Sequence, residues 1–172
     1  VSDAEDMIAA WAMRYLDAPP AVETGTIDPP AGTVVVSETR ASKLQNVIAT
    51  GKHRNLADEP VEVGGMDSGP GPYDFLLGAL GACTSMTMRL YAERKSIPLV
   101  RTTVTLQHSR IHAKDCEDCE TKEGMISKID RVIAMEGDLD DEQRKKLMEI
   151  ADKCPVHRTL TSEIKIVTTA KE

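Results

Sequence analysis

The chain has 172 residues, 41% of them hydrophobic and 28% charged, which is enough to bury one sizeable core and carry an appendage. A formal net charge of −7 and only five aromatic side chains (one Trp, three Tyr, one Phe) exclude a phosphate-binding face or a base-stacking platform, and with them nucleic acid as a partner. The longest apolar run, Phe75 to Cys83, is too short to span a bilayer, and the first residues lack the basic-then-apolar layout of a signal peptide, so a cytoplasmic location with no membrane contact is expected.

Asp3 to Leu16 reads as a short helix capped by Ser2 or Asp3, with Met7, Ile8, Trp11, Met13 and Leu16 on its apolar side. Asp17-Ala18-Pro19-Pro20 ends it, and the Pro, Gly, Thr and Asp content from there to Gly32 is that of a linker. Residues 1–31 are therefore expected to be a helix and linker, set apart as a remnant of a preceding domain, and residues 32–172 a folded domain. Strands are expected at Thr33 to Glu38, Leu44 to Thr50 and His53 to Val63. Gly64-Gly65 and Ser68-Gly69-Pro70-Gly71-Pro72 then turn the chain into a long helix, Tyr73 to about Lys95, with an apolar face at Leu76, Leu80, Cys83, Met86 or Thr87, and Leu90. Pro98 closes it. Two further strands, Arg101 to Ser109 and Ser127 to Glu136, bracket a polar insert from Ile111 to Gly124 that holds Cys116 and Cys119. A second amphipathic helix, Asp140 to Lys153, takes Asp138 or Asp140 as its cap and presents Leu147, Ile150 and Ala151 on one side, until Pro155 stops it. Ser162 to Thr169 reads as a final strand. The order βββ-α-ββ-α-β implies an α+β fold, mainly antiparallel, with a long central helix.

The four cysteines carry the chemistry. In a chain without an export signal they are expected to be reduced thiols. Cys83 falls on the apolar stripe of the long helix and Cys154 ends that of the second, so both point inward. Two readings stand for them: small core residues, or a reactive thiol and its partner where the two faces meet. The second reading needs a cation, because a thiol with a pKa of about 8.5 is only about 3% ionised at pH 7. Cys83 lies deep in its helix, where the macrodipole fades, so the charge must come from a side chain; Arg40, Arg54, Arg158 and His157 are the candidates.

The segment Gly69-Pro70-Gly71-Pro72-Tyr73-Asp74-Phe75-Leu76-Leu77-Gly78-Ala79-Leu80-Gly81-Ala82-Cys83, with the later Cys154-Pro155-Val156-His157, resembles the OsmC/Ohr family of thiol-dependent hydroperoxide reductases, over roughly Gly32 to Lys171. The resemblance implies an intertwined homodimer with its sites at the interface. It implies that Cys83 attacks an organic hydroperoxide, that Cys154 resolves the sulfenic acid as a disulfide, and that an external dithiol restores both thiols without metal or bound cofactor, in oxidative-stress defence. The family's arginine lies on an early strand or the turn after it, a place that Arg40 fits first and Arg54 second. Members of the best-characterised peroxidase branches carry Glu directly after the proline, where this chain has Tyr73; Asp74 or Glu59 is then the substitute carboxylate. Ile8-Ala9-Ala10-Trp11-Ala12-Met13-Arg14-Tyr15-Leu16 is similar to the closing helix of an α/β-hydrolase, as in proteins that fuse a hydrolase ahead of an OsmC-like domain. No nucleophile elbow accompanies it.

Two rival classes remain open. Cys116-Glu117-Asp118-Cys119 has the spacing of a zinc knuckle, and Cys154 with His157 supplies a second pair, so a structural zinc site on Cys116, Cys119, Cys154 and His157 is arithmetically available. Alternatively the pocket holds an apolar small molecule and the cysteines only line it. His157 is read first as a cap for the helix end and second as a thiolate partner. His53, His108 and His112 form no ligand spacing and are assigned nothing, and Asp58-Glu59-Pro60 reads as a turn.

Overall fold

Short segments rich in β-branched residues form the first sheet: β1 (Val35–Glu38), β2 (Asn46–Thr50) and β3 (His53–Ala57), antiparallel in that order. The computed structural model describes residues 27–117 and 119–171, so the expected opening helix and most of its linker lie outside the described residues. These residues divide into two compact units, 27–72 and 73–171. In the first, Val47 and Ala49 of β2 are buried while Asn46, Ile48 and Thr50 are half-buried, the period of two that a strand imposes. Between Thr50 and His53 the two-residue turn needs a positive φ, which Gly51 supplies at 47°.

The third expected strand stops early. At Asp58 the chain leaves the sheet because the buried carboxylate gathers the following loop: it accepts the Ser68 hydroxyl at 2.7 Å and the amides of Glu59, Met66 and Ser68 at 2.9, 3.1 and 3.3 Å. Those bonds, the Ser68 hydroxyl first, hold the Asp58 carboxyl below the usual range for aspartate. Val61–Val63 is a 3₁₀ turn inside that loop.

The second unit is built on α1 (Pro72–Arg94), β4 (Leu99–His112), β5 (Met125–Gly137), α2 (Asp141–Ala151) and α3 (Pro155–Leu160). Pro72 takes the first helical position, where its missing N–H is no loss. The buried row of α1 is Leu80, Thr84, Met88 and Ala92, with Gly81 beside it, whereas Met86 and Leu90 are each 65% exposed. The expected face at Leu76, Leu80, Cys83, Met86 or Thr87, and Leu90 is therefore rotated: the i, i+4 ridge through the small Thr84 and Ala92 is the one that packs. Strands β4 and β5 form a long antiparallel hairpin, His112 opposite Met125 at its tip. At its base Gly137 takes φ 140°, and a Cβ there would stand 2.1 Å from the carbonyl oxygen of Pro98.

A cluster of Met88, Ala92, Leu99, Leu139, Leu147 and Ala151 forms the core of this unit, with Tyr91, Ile97, Ile133 and Met135 packed around it. The cap of α2 is Asp140, whose carboxylate accepts the Gln143 amide at 2.7 Å while the Gln143 side chain accepts the Asp140 amide at 3.1 Å. Two expectations need correction. Pro155 stops α2 but also starts α3, a short helix with Cys154 as its cap. The final strand at Ser162 to Thr169 is absent: residues 163–171 have no regular secondary structure, and Ile164, Ile166 and Val167 are 53%, 84% and 73% exposed. High β propensity makes no strand without a neighbouring ladder to receive its amides, and none of the described strands pairs with this segment. The fold is α+β, with antiparallel sheets and a long helix. No described helix is long and apolar enough to cross a membrane.

Candidate functional site

Cys154 is fully buried and Cys83 partly so, and both are free thiols. One turn of backbone serves the two sulfurs. The Val156 amide donates to Cys83 Sγ at 3.5 Å and the next amide, of His157, donates to Cys154 Sγ at 3.3 Å. Proline at the first position of α3 opens this turn by adding no amide of its own, which leaves the next two to face sulfur. The arrangement brings a partly exposed thiol and a buried one onto successive amides of the same turn.

Above the buried sulfur lies a polar chain that the sequence reading missed. The Thr84 hydroxyl stands 3.6 Å from Cys154 Sγ and donates to the Leu80 carbonyl at 2.8 Å. Arg131 reaches in from β5: one guanidinium nitrogen donates to Thr84 Oγ1 at 3.1 Å and to the Ala151 carbonyl at 3.3 Å, and the other to Asp152 Oδ1 at 2.5 Å. The Arg131 side chain is only 12% exposed, while that of Asp152 is 65% exposed. The signal was present in β5, where Ile129, Arg131, Ile133 and Met135 share the inward phase of the strand; a charged residue on that face needs a reason to be there.

Beside this chain a cleft of about 490 Å³ opens between Leu80, Ile129, Met148 and Leu160, with Arg131, Asp152 and His157 on its polar side. His157 thus serves the site through its backbone amide and borders the cleft. Tyr73, 55% exposed in the first turn of α1, stacks on His108 with ring centroids 4.2 Å apart and an interplanar angle of 15°. Asp74 follows it and borders a second groove along α1 with Leu77 and Val104.

Of the remaining sequence candidates, Arg40, Arg54 and Glu59 belong to the first unit and Arg158 to the second. Arg40 is exposed in the turn after β1, with φ 64°. Arg54 donates to the carbonyls of Gly51 and His53 at 2.8 Å each, and also to that of Ile27, so its guanidinium is held by backbone. Glu59 follows Asp58 in the loop that the Asp58 carboxylate gathers. Arg158 is exposed on α3.

The hairpin tip overturns the expectation of four reduced thiols. Cys116 and Cys119 are joined as a disulfide, because the 3₁₀ turn Ala113–Asp115 brings the chain round and sets their Cα atoms 5.5 Å apart, within the ordinary span of a disulfide. Bonded to each other, the two sulfurs are lost to the Cys116, Cys119, Cys154 and His157 zinc set, and among the described residues no three His, Cys, Asp or Glu side chains gather as a metal site.

Comparison with known proteins agrees with the geometry. The family model for OsmC-like protein matches residues 65–169. A crystal structure of a Psychrobacter arcticus protein named for an osmotic stress and detoxification response superposes with a TM-score of 0.60 at 19% identity, over 77% of this chain and 90% of that one. The Legionella pneumophila organic hydroperoxide resistance protein OsmC gives 0.53 at 16% identity, over 77% and 92%. OhrB of Bacillus subtilis, also an organic hydroperoxide resistance protein, gives 0.52 at 18% identity, over 75% and 89%. At these identities the likeness is one of fold. No curated protein matches the sequence.

Proposed function

We propose that this chain, which belongs to the OsmC-like protein family, reduces organic hydroperoxides with the thiols of Cys83 and Cys154. The observation that carries the reading is the shared turn: successive amides of Val156 and His157 donate to the two sulfurs, so a partly exposed thiol has a buried one beside it. The Cys83 thiolate attacks the distal peroxide oxygen, the O–O bond breaks, and the departing alkoxide takes a proton to leave as alcohol. The Cys83 sulfenic acid then condenses with Cys154, releasing water and forming a disulfide. An external dithiol reduces that disulfide by exchange and is itself oxidised.

Arg40 is the cation assigned to the Cys83 thiolate; the three carbonyls on Arg54 make it the weaker candidate. Asp74 or Glu59 orients the arginine in place of the family's glutamate, and Tyr73 occupies that glutamate's position. The working unit is a homodimer, acting in the cytoplasm. The cleft lined by Leu80, Ile129, Met148 and Leu160 is apolar enough to take the organic part of the peroxide. The first 31 residues stand outside the catalytic domain.

The test is a count of free thiols before and after one equivalent of cumene hydroperoxide, with the disulfide mapped by peptide mass spectrometry. The expected result is rapid loss of two thiols per chain and a Cys83–Cys154 link. Cys83→Ser abolishes turnover, and Cys154→Ser allows one oxidation and then stalls. Full turnover by either variant refutes the scheme, and unreactive thiols in the parent favour a binding module for an apolar small molecule in which the cysteines take no chemical part.

A further inference from the structure

Thr84 has one hydroxyl hydrogen and several neighbours competing for its oxygen. In the structure that hydrogen goes to the Leu80 carbonyl at 2.8 Å, Arg131 donates to the same oxygen at 3.1 Å, and Cys154 Sγ lies 3.6 Å away. With the hydroxyl hydrogen on Leu80, the Thr84 oxygen is left to accept, and an S–H on Cys154 can donate to it. Once the sulfur loses its proton, the hydroxyl can rotate its hydrogen from the carbonyl to the sulfur. Arg131 remains on the oxygen in both states and strengthens the hydroxyl as a donor. Asp152 and the Ala151 carbonyl hold the guanidinium so that it does not swing away.

We propose that Thr84 and Arg131 are positioning residues for Cys154, forming a hydroxyl switch that accepts from its thiol and donates to its thiolate. The inference rests on the disulfide chemistry proposed above and assigns a role to the resolving step alone. It also accounts for an arginine only 12% exposed and a fully buried threonine on the inward faces of β5 and α1.

A stoichiometric aromatic disulfide isolates that step without peroxide. Cys83 thiolate displaces one aromatic thiolate and becomes a mixed disulfide. Cys154 thiolate then attacks the Cys83 sulfur, releases the second aromatic thiolate and closes the Cys83–Cys154 bond, so the second release reports Cys154 directly. Thr84→Val keeps the shape and removes the hydroxyl; it is expected to slow the second release about tenfold, the loss of one hydrogen bond to a charged group, while the first release stays within about twofold. Thr84→Ser restores the hydroxyl and is expected to restore the rate, a rescue that a packing role does not predict. Arg131→Lys keeps the charge without the fork and is expected to fall between them. Parental second-phase rates in Thr84→Val, or equal slowing in Thr84→Val and Thr84→Ser, overturn the switch alone. A parent chain that never releases the second equivalent overturns the disulfide reading and the switch with it.

Discussion

Leu147→Ala is the sharpest test of how the second unit is held together. Leu147 has no exposed surface and sits among Met88, Ala92, Leu99 and Ala151, which are themselves 0–5% exposed and belong to two helices and a strand. Walls of that kind close little around a void, so the loss belongs in the upper part of the range for buried leucine, about 3–4 kcal/mol. Against a total stability of about 5–15 kcal/mol that is a large fraction. With a urea m-value of about 2 kcal/mol/M, the midpoint should fall by about 1.5–2 M with m unchanged. Met148, the next residue, is 42% exposed and borders the cleft instead, so Met148→Ala should cost less than about 1 kcal/mol. Equal losses at the two positions, or a loss below about 1 kcal/mol at Leu147, would refute the assignment of this cluster as the core. Because α2 also carries Ala151, whose carbonyl receives Arg131, the Leu147 variant should loosen the guanidinium as well.

Two further outcomes follow from the loop and from the start of α1. The folded-state carboxyl of Asp58 is held below its ordinary value of 3.8, so the stabilisation it gives is present above that pH and is lost as pH falls through the lower folded value. Protection of the Met66 and Ser68 amides, measured relative to the intrinsic exchange rate at each pH, should therefore fall on acidification below that value, and Asp58→Asn should show the lower protection already at neutral pH. Tyr73→Glu removes the ring that stacks on His108 and places a carboxylate where the better-known peroxidases have one. Its second-order rate with cumene hydroperoxide should rise above the parent's, and a fall would show that Tyr73 has its own part in the reaction.

Much of this was legible in the chain. The long helix was placed to within a residue because proline and glycine punctuate both its ends, and the hairpin strands were found, though shortened, from their β-branched content. Cys154 was legible as an inward thiol, although it caps α3 and does not end the stripe of α2, while Cys83, on the stripe that proved rotated, is only partly buried. The rotation of the α1 face was not, since hydrophobicity ranks Met86 and Leu90 above Thr84 and Ala92 while packing rewards small residues at close crossings. Arg131 was not among the cations weighed, because Arg40, Arg54, Arg158 and His157 were weighed as partners of the Cys83 thiolate, whereas Arg131 comes from β5 and reaches Thr84 beside Cys154. A strand without a neighbour, at Ser162 to Thr169, was over-read for the reason that propensity is local and a ladder is not.

The disulfide at the hairpin tip alters the electron inventory of the molecule. Cys116–Cys119 is closed while Cys83 and Cys154 are free, so on the proposed disulfide chemistry a fully reduced chain stores four reducing equivalents, of which two sit outside the Cys83 and Cys154 pair. A reductant strong enough to open both pairs loads the chain with twice the charge that one peroxide can withdraw from the helix thiols. Stoichiometry measured in electrons will then exceed stoichiometry measured in alcohol by the capacity of the tip.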